Sequence, residues 1–276
     1  MPSCATAAPM WWPPSAVNKT ELLNRAAQTA GERTLLARAL DRLEQAQRGV
    51  PACTAFLSGA EQEAVERLLS AAGRPRHLFS GGFPDAERKV CAFLPDWQEE
   101  DGWEPPFTAL RCRWRAGESL THRDLLGAVL GRGLEREKVG DILVRPDSCD
   151  LLVMRELAPY LLQNLDSAGR VRLKTEEISL EGIEPPQVTG KTVRDTVSTP
   201  RLDAVLSSGF SIARGKAADL ISAGKVELNH RPCVKPDRAV AQGDVITCRG
   251  LGKCVLRELG GLSKKGRTML VLERYL

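Results

Sequence analysis

Apolar positions recur at helical spacing through the first quarter of the chain. Residues 18–48 are rich in Ala and Leu, with Leu36, Leu40 and Leu43 at i, i+4 and i+7, and Gly49-Val50-Pro51 ends the run. Ser58 and Glu61 have the spacing of a capping box, and Val65, Leu68, Leu69 and Ala72 extend one apolar face behind it, so a second helix is predicted there. The informative positions of both helices are apolar, which makes them packing elements. Between His77 and Leu94 the pattern changes to two extended runs around Gly81-Gly82-Phe83-Pro84-Asp85, a hairpin with a longer loop.

Beyond an acidic, Trp-containing loop at 96–106, the pattern predicts a strand at 107–115, a helix at 121–130 and a strand at 139–145. An extended run at 149–154, a helix at 156–165 and a last extended run at 170–178 follow. The order β-α-β-β-α-β is the ferredoxin-like arrangement, an open-faced α+β layer used by many RNA binders and by unrelated enzymes, so it names no function alone. Gly182, Pro185, Pro186 and Gly190 mark a linker. The expected fold is therefore α+β. It has a disordered leader at 1–17, a helical region at 18–75, a ferredoxin-like unit at 76–178, a linker at 179–195 and a C-terminal module at 196–276.

In that last module Thr199 can cap a helix with Pro200 at its first position, and Leu202, Val205, Leu206 and Gly209 form its stripe, leaving Arg201 and Asp203 off it. Ser211 can cap a second helix whose buried face is Ala217, Leu220, Ile221 and Gly224. Arg214 and Lys216 stand off this face near the helix start. Cations there oppose the helix dipole at a cost of about 0.3–1 kcal/mol each, which a bound phosphate would offset. Strands at 225–229 and 245–248 pair, and a terminal hairpin carries Lys264, Lys265 and Arg267 at a Gly-rich tip. That tip reads equally as a phosphate contact or as a solvated turn.

Charge sharpens this. The net +4 of the 276 residues divides into +7 over 196–276, with 14 Lys and Arg against 7 Asp and Glu, and −3 over the remainder. A concentrated basic module suits a polyanion. The eight cysteines contain no C-x-x-C pair, which argues against a zinc knuckle and for reduced, structural thiols. No apolar run is long enough to span a bilayer, and residues 1–17 fit neither a secretory signal nor a transit peptide, so the expected compartment is the cytosol.

The run Arg201-Leu202-Asp203, Gly209, Ala213-Arg214-Gly215-Lys216-Ala217, Leu220-Ile221, Gly224-Lys225-Val226, Asn229, Lys235-Pro236 and Gly243-Asp244-Val245-Ile246 resembles the S-four RNA-binding domain, or alpha-L motif. The resemblance implies an RNA-gripping surface made by two short helices and the following strands, with Arg201, Arg214, Lys216, Lys225, Asn229 and Lys235 as contacts. Two departures stand out. The usual Ser before the first cation is Ala213, and the usual Asn-Gly turn is Asn229-His230, which leaves a tight turn in question. Upstream, Leu120-Thr121-His122-Arg123-Asp124-Leu125-Leu126-Gly127 and Arg136-Glu137-Lys138-Val139-Gly140-Asp141-Ile142 are similar to the YlmH-type family of bacterial proteins, as is the Lys264-Lys265-Gly266-Arg267 ending. That resemblance spans roughly 55–276. It implies binding to ribosomal RNA on the large subunit, with a part in handling stalled peptidyl-tRNA complexes; the chain is expected to be a monomer, with transfer RNA as a further partner. A second RNA surface would then comprise His122, Arg123, Arg136 and Lys138.

Catalysis has little support. Thr121 and Asp124 have capping-box spacing, and His122 and Asp124 diverge on a helix. His77, His122 and His230 are widely separated, and no Gly-rich loop joins a strand to a helix, so no catalytic site, metal centre or cofactor is expected. The competing readings are an RNA-modifying enzyme that docks through the S-four-like module, with Asp141 or Asp124 as acid or base, and a protein-interaction adaptor linked to cell division. Salt separates them. RNA binding should weaken by roughly 0.7–0.9 log units per phosphate for each tenfold rise in salt.

Overall fold

The computed structural model describes residues 19–185, 190–262 and 266–275. The expected leader, Lys264 and Lys265 lie outside the described residues. The chain forms two compact units. Of the described residues, one unit contains those up to 108 with 135–140 and 153–156, and the other contains the remainder.

The first unit begins with α1 (Lys19–Ala26) and α2 (Ala30–Gln47). The single helix expected over 18–48 is broken because Thr29 and Glu32 form their own cap. The Thr29 hydroxyl accepts from the Glu32 N–H at 3.1 Å, and the Glu32 carboxylate accepts from the Gln28 N–H at 2.7 Å. Next come β1 (Ala52–Cys53) and α3 (Gly59–Ala71), the latter with the expected capping box. The Ser58 N–H donates to the Glu61 carboxylate at 2.7 Å. The hairpin is β2 (His77–Ser80) and β3 (Val90–Phe93), and β1 also pairs with β3. The resulting three-stranded sheet has the order β1-β3-β2, and Cys91 and Phe93 share one core with Leu36, Leu40, Val65 and Leu68. The hairpin thus belongs with the N-terminal helices and not with the unit expected over 76–178. Its tight exit from β2 demands glycine. A Cβ on Gly81 would lie 2.4 Å from the Ala86 Cβ and 2.5 Å from the Arg88 carbonyl oxygen. Gly81→Ala is expected to cost about 1–3 kcal/mol, read as a lower urea midpoint with an unchanged slope.

The βαββαβ order follows as β4 (Phe107–Arg113), α4 (His122–Leu130), β5 (Val139–Val144), β6 (Ser148–Met154), α5 (Ala158–Asn164) and, finally, a split run. The split run is β7 (Ser167–Ala168) with β8 (Val171–Arg172) as a small ladder, then β9 (Lys174–Ile178). The main sheet has the order β5-β6-β4-β9. Its central strands are not open to solvent. Every residue of β6 is buried, and β4 is buried except at Arg111 and Arg113. The open face expected from the topology is therefore closed.

Part of that closure is electrostatic. Asp150 on β6 is fully buried and takes paired hydrogen bonds from two arginines, Arg111 on β4 at 2.7 and 2.9 Å and Arg145 at 2.7 and 2.9 Å. The same guanidinium groups donate onward to the carbonyls of Gly182 and Glu184. Residues 180–184, expected as linker, are thereby fastened to the sheet, and Ile183 is buried.

The rest of the second unit is a six-stranded antiparallel sheet carrying two helices. The elements are β10 (Lys191–Val197), α6 (Leu202–Phe210), α7 (Arg214–Ser222), β11 (Val226–Leu228), β12 (Arg231–Pro232), β13 (Val245–Cys248), β14 (Gly252–Leu262) and β15 (Thr268–Tyr275). Their order is β10-β15-β14-β13-β11-β12. Residues 191–195, expected within the linker, are instead part of an edge strand paired with β15. The expected stripe is the core: Leu202, Val205 and Leu206 are buried with Ala217, Ile221, Ile246, Cys254 and Leu272. Gly209 lets α6 approach the sheet closely, since a Cβ there would stand 3.0 Å from the Cys254 sulfur. Gly224 departs from the expected face, because it is exposed and follows the end of α7 with a φ of +68°.

Candidate nucleic-acid interface

Helix α6 starts later than the Thr199 and Pro200 signal suggests. Arg201 occupies the cap position, and no side chain caps the helix. The N–H groups of Leu202 and Asp203 donate instead to the carbonyls of Arg238 and Pro236 at 2.8 and 2.9 Å. A loop more than thirty residues downstream thus satisfies the helix end, where the local signal pointed to a threonine. Ser211 is likewise not the cap of α7. It closes α6 in the left-handed conformation at φ 54°, and Ala213 precedes α7 without a side-chain cap.

These two helix starts meet at Asp203. This residue, expected on the outside, is only 5% exposed. One carboxylate oxygen accepts from the Ala204 N–H at 2.8 Å, and the carboxylate receives two guanidinium groups. Arg201 donates through Nε and Nη2 at 3.2 Å each, and Arg214 through Nε and Nη2 at 3.1 to 3.2 Å. The arginine side chains remain 39% and 52% exposed. Among the described residues neither Nη1 forms a hydrogen bond. Lys216 is exposed in the first turn of α7, after an exposed Gly215. Lys225 and Lys235 are exposed as well. So is Arg238, whose carbonyl helps to cap α6 and which sequence spacing did not single out.

Asn229 has a structural task. Its side chain donates to the Asp244 carboxylate and accepts from the Val245 N–H, both at 2.8 Å. With Leu228 opposite Arg231, Asn229 and His230 form a two-residue turn with φ of 50° and 60°. The tight turn exists without glycine, because the side chain of Asn229 ties it to β13. Arg267 donates to the Thr196 carbonyl, next to β15.

The residues expected to form a second surface differ in exposure, Arg136 and Lys138 being half-buried. His122 and Arg123 are exposed at the start of α4, in the second unit. Arg136 and Lys138 lie in the first unit. There Arg136 donates to the carbonyls of Val139 and Gly140, and Lys138 pairs with Glu156 at 2.7 Å. Asp124, considered as an acid or base, is the α4 cap. Hydrogen bonds from the Thr121 hydroxyl and N–H hold its carboxyl below the ordinary carboxylate range, unlike an acid or base poised near neutrality. The seven described cysteines are free thiols, and burial pushes Cys91 and Cys254 up, the latter to about 12, which keeps them protonated. Among the described residues no group of three or more potential metal ligands occurs, and no helix is long and apolar enough to cross a membrane.

Two family profiles match the chain. The one described as "Putative RNA-binding domain in YlmH" covers residues 117–182, and the S4 domain covers 200–246. The "Ribosome-associated protein quality control protein P2" of Bacillus subtilis (strain 168) is 34% identical over 197 residues, which are 71% of this chain and 77% of that protein. A solved structure titled "Cell division protein ylmH from Streptococcus pneumoniae" aligns over 57% of this chain and 98% of its own, at 21% identity and a TM-score of 0.48. The identity to the Bacillus protein over most of both lengths, with the two domains in this order, places the chain in the YlmH family.

Proposed function

We propose that this protein is a non-catalytic RNA-binding protein that docks on structured ribosomal RNA of the large subunit and serves in the quality control of stalled ribosomes that hold peptidyl-tRNA. The observation that carries the reading is the cation group at the starts of α6 and α7, where Arg214 and Lys216 stand exposed and Arg201 half-exposed within the region matched by the S4 domain. Guanidinium groups suit phosphate because their planar fork can engage two oxygens at once. The Bacillus relative, by its name, is a ribosome-associated quality control protein, and the identity over most of both lengths supports the same setting here. The closed sheet of the middle region directs the reading away from an open-sheet RNA platform and toward the C-terminal module. Lys225, Lys235 and Arg238 extend the surface, while His122 and Arg123 form a smaller second contact.

Co-sedimentation of the full chain with separated ribosomal subunits tests this. The protein should pellet with the large subunit at low salt and be released steeply as salt rises, by roughly 0.7–0.9 log units of affinity per neutralised phosphate. Equal recovery with both subunits, or binding indifferent to salt, would remove the reading.

A further inference from the structure

The Asp203 carboxylate is the least expected feature of the surface, because it places a negative charge at the centre of a group meant to attract phosphate. We infer that Asp203 is a positioning residue, which holds Arg201 and Arg214 as a fixed pair for one RNA phosphate or for two adjacent ones. The inference rests on the RNA-binding reading and deepens it. Asp203 is buried, whereas both its partners are half exposed. The bond that the Asp203 carboxylate accepts from the Ala204 N–H does not itself call for two arginines. One carboxylate between two guanidinium groups leaves a net positive charge. It also uses the Nε and Nη2 atoms of each arginine and leaves Nη1 of each without a hydrogen bond among the described residues. Arginine side chains are otherwise among the most mobile, and ordering them on binding costs affinity. Here the ordering is done before RNA arrives. Arg201 lies at the start of α6 and Arg214 at the start of α7, so the carboxylate also fixes the spacing of the two helix ends.

Charge and position predict opposite signs for one substitution. Asp203→Asn removes a negative charge beside the surface, and electrostatics alone would then tighten RNA binding. If the carboxylate sets the arginines in place, binding of purified large-subunit ribosomal RNA should instead weaken about tenfold, and the salt slope should flatten by about the 0.7–0.9 of one phosphate contact. A charge-conserving pair, Arg201→Lys with Arg214→Lys, gives an independent arm should Asp203→Asn not fold. Lysine keeps the charge but cannot hold the two-atom clasp, so the same loss is expected. A wild-type chain without salt-dependent RNA binding would overturn the RNA reading and this inference together. Wild-type binding beside equal or tighter binding by a folded Asp203→Asn, or by the lysine pair, would overturn the positioning role alone.

Discussion

Replacing Asp150 by alanine is expected to cost about 3 kcal/mol of stability. Removing one member of a buried ion pair costs about 3–5 kcal/mol because the partners keep their desolvation penalty without its compensation. Two arginines depend on Asp150, and their side chains are 14% and 17% exposed. That residual access to water, with their bonds to the Gly182 and Glu184 carbonyls, sets the lower end of the range. For a unit of this size the midpoint should fall by roughly 6–12 °C. The same carboxylate predicts a pH dependence. Burial alone would raise its pKa, but hydrogen bonds and charge from Arg111 and Arg145 outweigh burial and hold it at about 2, against an ordinary 3.8. A depressed folded value means that the stabilisation is complete above the unfolded value. It then disappears as pH falls from about 5 toward 2, by on the order of 2 kcal/mol. Urea titrations at stepped pH should show this acid limb in the wild type and a flatter one in Asp150→Asn. An unchanged limb in the variant would assign the acid sensitivity to other carboxylates.

What the sequence disclosed and what it hid divide along the range of the interactions. The Ser58-Glu61 and Thr121-Asp124 boxes and the Leu202, Val205, Leu206 and Gly209 stripe are local, set by residues three to seven apart, and the structure has them where spacing put them. The same kind of signal at Thr29 and Glu32 was legible but masked by the continuous Ala and Leu pattern around it. The membership of the β2–β3 hairpin depends on pairing with the two residues of β1, too short a strand to announce itself. β10 reads as linker because only Val197 of its seven residues is buried, and it becomes a strand through β15, more than seventy residues away. Asp150 and Asp203 escaped for one reason. Their type predicts exposure, and of the two arginines that permit each burial one is distant, Arg111 at 39 positions from Asp150 and Arg214 at 11 from Asp203. At the interface, periodicity correctly placed the cations outside the stripe, but it carried no information about what holds them there.

The combined change Arg214→Ala and Lys216→Ala should produce the largest loss of function. Both side chains are exposed, and neither belongs to the core of Leu202, Ile221 and Leu272, so the fold should persist, at a stability cost of about 1–3 kcal/mol from the loss of one Asp203 partner. Their removal deletes two charge-assisted contacts, each worth about 1.5–3 kcal/mol, which corresponds to at least about a hundredfold weaker binding of large-subunit ribosomal RNA at low salt. The salt slope should fall by about 1.4–1.8, the amount for two phosphates. Removing Arg214 also frees half of the Asp203 carboxylate, so its single variant should lose more than the Lys216 single variant although each removes one charge. Filter binding of the two single variants and the double variant across a salt series separates the effects. Equal losses from the two single variants would reduce the surface to a diffuse positive field, whereas a larger loss at Arg214 is the signature of a guanidinium held in place. A double variant that binds like the wild type would move the RNA contact away from the start of α7 altogether.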